Sequence, residues 1–432
     1  MNYEDKARSE QLVLDVRDIQ EEEPAHALRD EVRGLAFWLN EIQEAGAFLY
    51  VKRLSANDTG ATDSHQVGIY VPDSVTKAAI PSISHTISQN PDYLLPCKID
   101  SHGGGEGEVR AIYYNNKHFD GTRDEARLTR WAWPGFNSPM KDQDSTGALA
   151  VFAFVVEPGK DASLLRLWVC RSPGEEEFVE QGFGEILPGE SLVGRANNLR
   201  GGAVFSREPE PDISIPPVWN EKFPTGRDIL EYVFSISGLS SLSPDQRLMK
   251  RRELEYEVFR KVESGHVMPL IEGGFKNVDD FIAVANSVAN RRKSRSGHSL
   301  ELHLRKIFEE EKIPSVGDQC VTENNKKPDF LFPSCAAYHD PLFPDARLRM
   351  LGVKTTCKDR WRQVLSEARR VDVKHLFTLQ EGVSINQHAE MSDSKVVLVV
   401  PEGLLRKYPK SVRGNVMTLT DFIVETKLIS YC

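Results

Sequence analysis

Residues Arg207 to Pro224 contain Pro209, Pro211, Pro216, Pro217 and Pro224. Proline fixes φ and carries no backbone N–H, so neither a helix nor a central strand accommodates that density. The stretch reads as an extended, fairly stiff linker, and what lies on either side of it must fold as separate units. The hydrophobic period differs on the two sides. After a helix over Val32–Ile42, with Leu35, Leu39 and Ile42 at helical spacing, the period changes: Phe48, Tyr50 and Lys52 alternate with their neighbours, and Val67, Ile69 and Val71 do likewise. Val109–Tyr114, Ala148–Val156 and Leu164–Cys170 are further strands, and many short strands between Gly, Pro and Asn/Asp turns predict a β-barrel or sandwich. Beyond Arg227 the spacing becomes helical over Arg247–Val262, over Val278–Val288 and from about Ser299, where Leu300, Leu304, Ile307 and Phe308 form a stripe. His375–Leu379 and Val396–Val400 are β-rich, and strands enclosed by helices predict an α/β/α layer. On sequence the chain divides into an acidic stretch that is either a mobile extension or a frayed helix (1–32), a mostly-β domain (33–206), the linker (207–226) and an α/β/α domain (227–432).

The formal net charge is −10, but it is segregated. Residues 1–32 hold ten acidic and four basic side chains and residues 171–190 hold six and one, which leaves the rest of the chain at net +1. A nucleic-acid partner is therefore not excluded by charge. The six cysteines, Cys97, Cys170, Cys320, Cys335, Cys357 and Cys432, show no Cys-x-x-Cys pair. They read as reduced thiols of a cytoplasmic protein and not as a zinc site or a disulfide frame. No stretch has the apolar length of a membrane span, and the acidic N-terminus lacks the regions of a signal peptide.

Candidate chemistry concentrates between Lys326 and Arg370. Asp329 precedes the apolar run Phe330-Leu331-Phe332, which places its carboxylate at the start of a short strand. In Leu348–Lys354, Gly352 and Lys354 share one strand face and Val353 points the other way, into a core. A helix over Arg360–Arg370 has Trp361, Val364, Leu365 and Ala368 as its stripe, with Glu367 about 110° from the stripe's centre. Two carboxylates can hold Mg²⁺ while a lysine orients water and stabilises charge on a phosphate, so the set suits metal-assisted phosphodiester hydrolysis. A Pro-Asp pair followed by Val-Lys also arises by chance, and the residues alone leave both readings open.

Three other stretches carry DNA-type chemistry. Lys358-Asp359-Arg360, a donor, an acceptor and a donor just after the lysine strand, can read successive G·C pairs, whereas a helix-start aspartate would account for Asp359 alone. The basic cluster Arg291–Arg295, which includes Arg292, is either a solvated loop or a phosphate contact. Arg123–Trp131 in the first domain is a candidate base-reading segment or a β-edge laced with ion pairs.

Lys327-Pro328-Asp329, then Val353-Lys354, then Glu367 resembles the active site of PD-(D/E)XK nucleases, in the variant whose second acid has moved from the place of Gly352 to the following helix. The longer segments Lys326–Pro333 and Val353–Gln363 resemble EcoRII-type restriction endonucleases, and the similarity runs from about Phe48 to near the C-terminus. The resemblance implies a DNA-binding pseudobarrel joined to an α/β/α restriction-endonuclease-like domain, with Glu301 as an additional acidic residue of the active site. It implies that Lys358, Asp359 and Arg360 read a CCWGG-like site and that Arg252 and Tyr256 contact an extrahelical central base. In the first domain it implies that His65, Tyr70, Arg123, Glu125 and Arg127 bind a second copy of the site as effector, and that this domain covers the catalytic cleft until they do. Gly121 and Ala126 stand where the family pattern has basic residues. The expectation is a Mg²⁺-dependent, homodimeric type II endonuclease acting on duplex DNA, two copies of one active site serving a two-fold symmetric target. The alternatives are a DNA-binding regulator that keeps the fold without the chemistry and a metal phosphodiesterase with another substrate, which would leave Lys358-Asp359-Arg360 without a role.

Overall fold

The computed structural model describes residues 25–62, 68–183, 186, 188–196, 213–236, 238–275, 278–313, 320–358 and 360–431. The first unit opens with helix α1 (Ala25–Glu44), which begins ahead of the expected start at Val32. Strands β1 (Phe48–Arg53), β2 (Ile69–Val71), β3 (Asp92–Ile99), β4 (Gly105–Tyr114), β5 (Glu125–Thr129), β6 (Leu149–Val155), β7 (Leu164–Val169) and β8 (Ser191–Arg195) follow, with helices α2 (Asp73–Ala79) and α3 (Pro173–Phe183) between them. They form one eight-stranded sheet in the order β2-β5-β4-β3-β7-β6-β1-β8. The Tyr50 hydroxyl on β1 donates to the Tyr70 carbonyl on β2 at 3.0 Å, so the sheet rolls until its distant strands meet. Its concave face encloses Tyr50, Ile69, Leu95, Val109, Leu128 and Phe152 in one core. On the convex side Leu49, Val51, Leu149 and Val151 pack under Trp38 and Ile42 of α1 and Val179 of α3. β6 is buried on both faces, which is why its sequence is an unbroken apolar run. Several elements escaped the sequence reading, two of them for evident physical reasons. β3 contains Pro96, which lies just outside the Cys97–Ile99 ladder to β7, and α3 carries Glu175 and Glu176 in its first turn, where acids favour a helix.

The proline-rich stretch is not a free spacer along its described length. Ile213, Ile215, Trp219 and Phe223 pack on Ile229 and Val233 of α4 (Gly226–Ser235) and on Val258 and Phe259 of α5 (Pro244–Glu272). Residues 207–212 lie outside the described set. α5 starts with a capping box between Ser243 and Gln246 and runs past the expected Val262. The two helices expected over Val278–Val288 and from Ser299 are one, α6 (Val278–Glu310). No proline interrupts residues 289–298, so the basic cluster lies within a helix and not in a loop.

The second sheet has five strands in the order β13-β12-β11-β10-β9: β9 (Phe330–Phe332), β10 (Arg349–Val353), β11 (Lys374–Phe377), β12 (Val396–Val400) and β13 (Met417–Thr418). β9 is antiparallel to β10, and the other pairs are parallel. Helices α7 (Cys335–His339), α8 (Ile385–Asp393), α9 (Glu402–Leu405), α10 (Lys410–Arg413) and α11 (Leu419–Tyr431) complete the chain. One face of the sheet packs on Leu248, Leu300, Leu304, Phe308 and Phe422 from α5, α6 and α11. The other packs on Tyr338, Trp361, Val364, Met391 and Val412. The expected α/β/α layering is thus present. The expectation of reduced cysteines fails at one pair: Cys320 and Cys335 form a disulfide, whereas Cys97, Cys170 and Cys357 are buried thiols outside any disulfide. Among the described residues no helix is long and apolar enough to cross a membrane.

The two units touch through backbone and polar contacts. The Ala56 amide donates to the Glu381 carbonyl at 3.0 Å, and Ser384 Oγ donates to Asp144 Oδ1 at 2.7 Å. At Gly147, where φ is +87°, a Cβ would fall 2.7 Å from the Gln380 side chain, so the chains approach as closely as glycine permits.

Candidate active site

β9 and β10 pair with Phe330 opposite Leu351, so the next step in register sets Asp329 across from Gly352. Asp329 Oδ2 accepts the Val353 amide at 2.6 Å and lies 3.5 Å from Lys354 Nζ. Both side chains are about four-fifths buried, at 18% and 22% exposure, in a position to meet a substrate without being drowned in water. Val353 points into the opposite core, as the alternation requires. A Cβ on Gly352 would lie 2.6 Å from Val364 Cγ1. An acid therefore does not fit two residues before the lysine, and it must come from elsewhere.

It comes from Glu367, by a different geometry from the α-helix the sequence suggests. Arg360–Ser366 is a 3₁₀ helix. Three residues per turn stack Trp361, Val364 and Glu367 in one row, with the Glu367 amide donating to the Val364 carbonyl at 3.1 Å. Leu365, expected in the apolar stripe, is instead 39% exposed, and Glu367 is on the row that faces β10. Burial, then the neighbouring Asp329 carboxylate, push the Glu367 carboxyl up to about 7 against the pull of Lys354, Lys326 and Lys374. Its Oε2 is buried and has no hydrogen-bond partner among the described residues. An orphaned carboxylate oxygen next to a second carboxylate is a donor set that a hard divalent cation completes.

The turn that carries Glu367 is fixed by residues the sequence did not single out. Ala368 has φ +45°, a left-handed conformation that costs a non-glycine residue on the order of 1–3 kcal/mol. The buried Lys374 ammonium donates to the carbonyls of Glu367, Ala368 and Val371 at 2.6, 2.6 and 2.7 Å. Glu323 accepts the Arg369 amide at 3.2 Å and the Tyr338 hydroxyl at 2.7 Å. The one trace of this in the sequence went unread: a lysine heading the apolar strand Lys374-His375-Leu376-Phe377 must find acceptors inside. Glu301 belongs to the other face of the sheet, half-buried on α6 between Leu300 and Leu304.

Comparison with known proteins decides the family. Residues 43–198 match the family model described as restriction endonuclease EcoRII, N-terminal, and residues 259–423 match EcoRII C terminal. Over 390 residues, 90% of this chain and 96% of the relative, the sequence is 49% identical to the type II restriction enzyme EcoRII of Escherichia coli. The chain belongs to the EcoRII family of type II restriction enzymes. Metal-depleted Ecl18kI with uncleaved, modified DNA is similar at 19% identity and a TM-score of 0.41, over 49% of this chain and 80% of that one. Its complex with uncleaved DNA gives 18% and 0.40 over the same shares.

The residues of this EcoRII-family chain read as DNA contacts fall in three places. Next to the candidate active site, the amides of Cys357 and Lys358 donate to Gln380 Oε1 at 2.9 and 3.1 Å, and Arg360 is exposed. Asp359 and His65 lie outside the described residues, as does the side chain of Arg292. On α5, Arg252 donates to Ser299 Oγ at 2.9 Å and lies 3.8 Å from Glu255, so it belongs to the α5–α6 contact, whereas Tyr256 is 38% exposed. In the first unit, Tyr70, Glu125 and Arg127 line a cleft of about 1260 Å³, with Lys407 and Lys410 of the second unit on its far side. Arg127 forks onto Glu125 at 3.0 and 3.1 Å, and Arg123 sits over the Tyr114 ring at 4.6 Å. Ala126, 4% exposed, faces the core of the rolled sheet, and a Cβ on Gly121 would lie 2.7 Å from Asn116 Cβ. Neither position offers room for a basic side chain directed at DNA.

Proposed function

We propose that this restriction endonuclease is a Mg²⁺-dependent homodimer that hydrolyses both strands of duplex DNA at a CCWGG-like pseudopalindrome. The convergence of Asp329, Lys354 and the buried Glu367 carries the reading. In it, residues 227–432 are a PD-(D/E)XK catalytic domain, 33–206 an effector-binding pseudobarrel, 207–226 the connection, and 1–32 an acidic extension of a cytoplasmic protein. Asp329 and Glu367 hold the cation, and Glu301, on α6 at the other face of the sheet, is not one of its ligands. When bound, Mg²⁺ supplies Lewis-acid stabilisation of charge on the phosphate and lowers the pKa of water. Lys354 orients the attacking water and meets the developing charge, while Asp329, tied to the Val353 amide, keeps the two strands in register. Water adds to phosphorus, one P–O bond to the deoxyribose breaks, and the leaving oxygen takes up a proton.

Lys358, Asp359 and Arg360 read the outer C·G pairs, the exposed Tyr256 meets the central base with Arg252 held beside it in the α5–α6 contact, and Arg292 contacts phosphate. His65, Tyr70, Arg123, Glu125 and Arg127 bind the second copy of the site. Gating by that copy is supported by the contact between the units: Gln380, which holds the amides before and at Lys358, is the side chain against which Gly147 of the first unit packs. A first domain seated there restricts access to the reading segment, and effector binding favours the open form.

Reading and cutting are separable by experiment. Asp329→Ala abolishes cleavage in Mg²⁺ and leaves specific binding in Ca²⁺ intact. Arg360→Ala weakens specific binding by about 1–3 kcal/mol and flattens discrimination at one C·G pair. Competition binding with singly substituted sites is the measurement, and equal losses on target and mismatched DNA contradict base reading by Arg360. A regulator on the same fold predicts no cleavage by the wild type.

A further inference from the structure

Cys320 and Cys335 close a loop that contains Lys327, Asp329 and the whole of β9, so whatever joins them clamps the strand that presents the first catalytic carboxylate. A third group stands at the same place. His339 follows Cys335 by four residues on α7, a spacing that sets both side chains on one side of the helix, and its Nε2 is 3.8 Å from Cys320 Sγ. The three ligand atoms all lie within 4.8 Å of one another. We propose that Cys320, Cys335 and His339, in the dithiol form, are a binding site for a soft divalent cation, Zn²⁺ by its donor set, separate from the Asp329–Glu367 centre.

The dimensions fit. Zinc–thiolate and zinc–imidazole bonds of about 2.3 and 2.0 Å at tetrahedral angles put sulfur and nitrogen about 3.5 Å apart and two sulfurs about 3.8 Å apart. The first of these separations is nearly present, and the second needs only the sulfurs to part, with the Cα atoms 5.5 Å from each other. Ligand softness sorts the two sites. Two thiolates and an imidazole favour Zn²⁺, whereas the carboxylates of Asp329 and Glu367 favour a hard, oxygen-seeking cation. Cys320 is buried, Cys335 half-buried and His339 exposed, so the fourth corner opens to water. The Tyr338 ring stands edge-on to the His339 imidazole at 5.4 Å, and the Tyr338 hydroxyl bonds Glu323, which holds the Glu367 turn. A cation here would brace both flanks of the catalytic centre.

Disulfide and metal are alternative occupants of one place. Loading requires a dithiol reductant: it gives up two electrons and two protons and closes to its own disulfide, while the Cys320–Cys335 bond breaks and each sulfur becomes a thiol. The cation then displaces both thiol protons.

The test uses full-length protein, reduced, freed of metal and titrated with Co²⁺ and then Zn²⁺. The expected result is a thiolate-to-cobalt charge-transfer band that saturates at one equivalent, is bleached by Zn²⁺, persists in Asp329→Asn and is lost in Cys335→Ser. His339→Ala alters an exposed side chain and leaves both cysteines in place, and it weakens Zn²⁺ binding about tenfold or more in competition with a chromophoric chelator. No charge-transfer band in the reduced wild type, or wild-type Zn²⁺ affinity in His339→Ala, overturns the proposal.

Discussion

With Glu367 as a proposed ligand of the cation, its protonation sets when the centre can work. Its carboxyl, raised to about 7 from an ordinary 4.5, holds a proton in mild acid, and a cation takes only the ionised form. Metal affinity and cleavage rate should therefore rise as pH increases through about 7. For the metal-free fold the sign is opposite: between 4.5 and about 7 the unfolded chain releases this proton before the folded one does, so the group's contribution to stability declines as pH rises through that window. Ca²⁺ binding measured across neutrality should strengthen with pH in the wild type and stay flat and weak in Glu367→Gln. A flat wild-type profile contradicts the assignment. At this scale Asp329 and Lys354 were legible in sequence because each abuts a short apolar strand that fixes its place locally. Lys374 and Glu323 were not, since their partners are carbonyls and amides of a turn whose shape depends on the fold. The Cys320–Cys335 pair was hidden for the same reason: fourteen intervening residues carry no spacing signal.

Elements explain why the acid sits where it does. The 3₁₀ helix lays Val364 against β10, and the absence of a side chain at Gly352 is what lets it approach. Gly352→Ala should cost about 1–3 kcal/mol by overpacking, read from urea unfolding, and Gly352→Asp should fail to rescue Glu367→Ala although it recreates the commoner motif. Full stability in Gly352→Ala would show that Val364 yields freely. Sequence periodicity found both the helical and the strand segments here but not the helix type, because Trp361, Val364, Leu365 and Ala368 satisfy a 3.6-residue stripe as well as a 3.0-residue row satisfies Trp361, Val364 and Glu367. The same ambiguity split α6 in two, where a basic stretch without an apolar stripe hid a continuous backbone.

The whole molecule pairs a rolled sheet and a layered sheet, each with its own buried cores, through a contact of backbone and polar groups. Removal of residues 1–206 should thus leave a folded second unit that cuts one-site plasmids faster than the full-length protein and ignores added effector duplex. A truncated form no faster than the intact one removes the gating while leaving the nuclease in place. Asp329, Lys354 and Glu367 are proposed as the cutting centre of a site-specific endonuclease. The most direct test is a Mg²⁺ digest of a sequenced plasmid by wild type and by Lys354→Ala, followed by sequencing of every end. The account predicts wild-type ends at one short pseudopalindrome and a Lys354→Ala rate lower by far more than tenfold. Ends scattered over unrelated sequences, or a Lys354→Ala rate within about tenfold of wild type, a barrier change of roughly 1.4 kcal/mol or less, would contradict it.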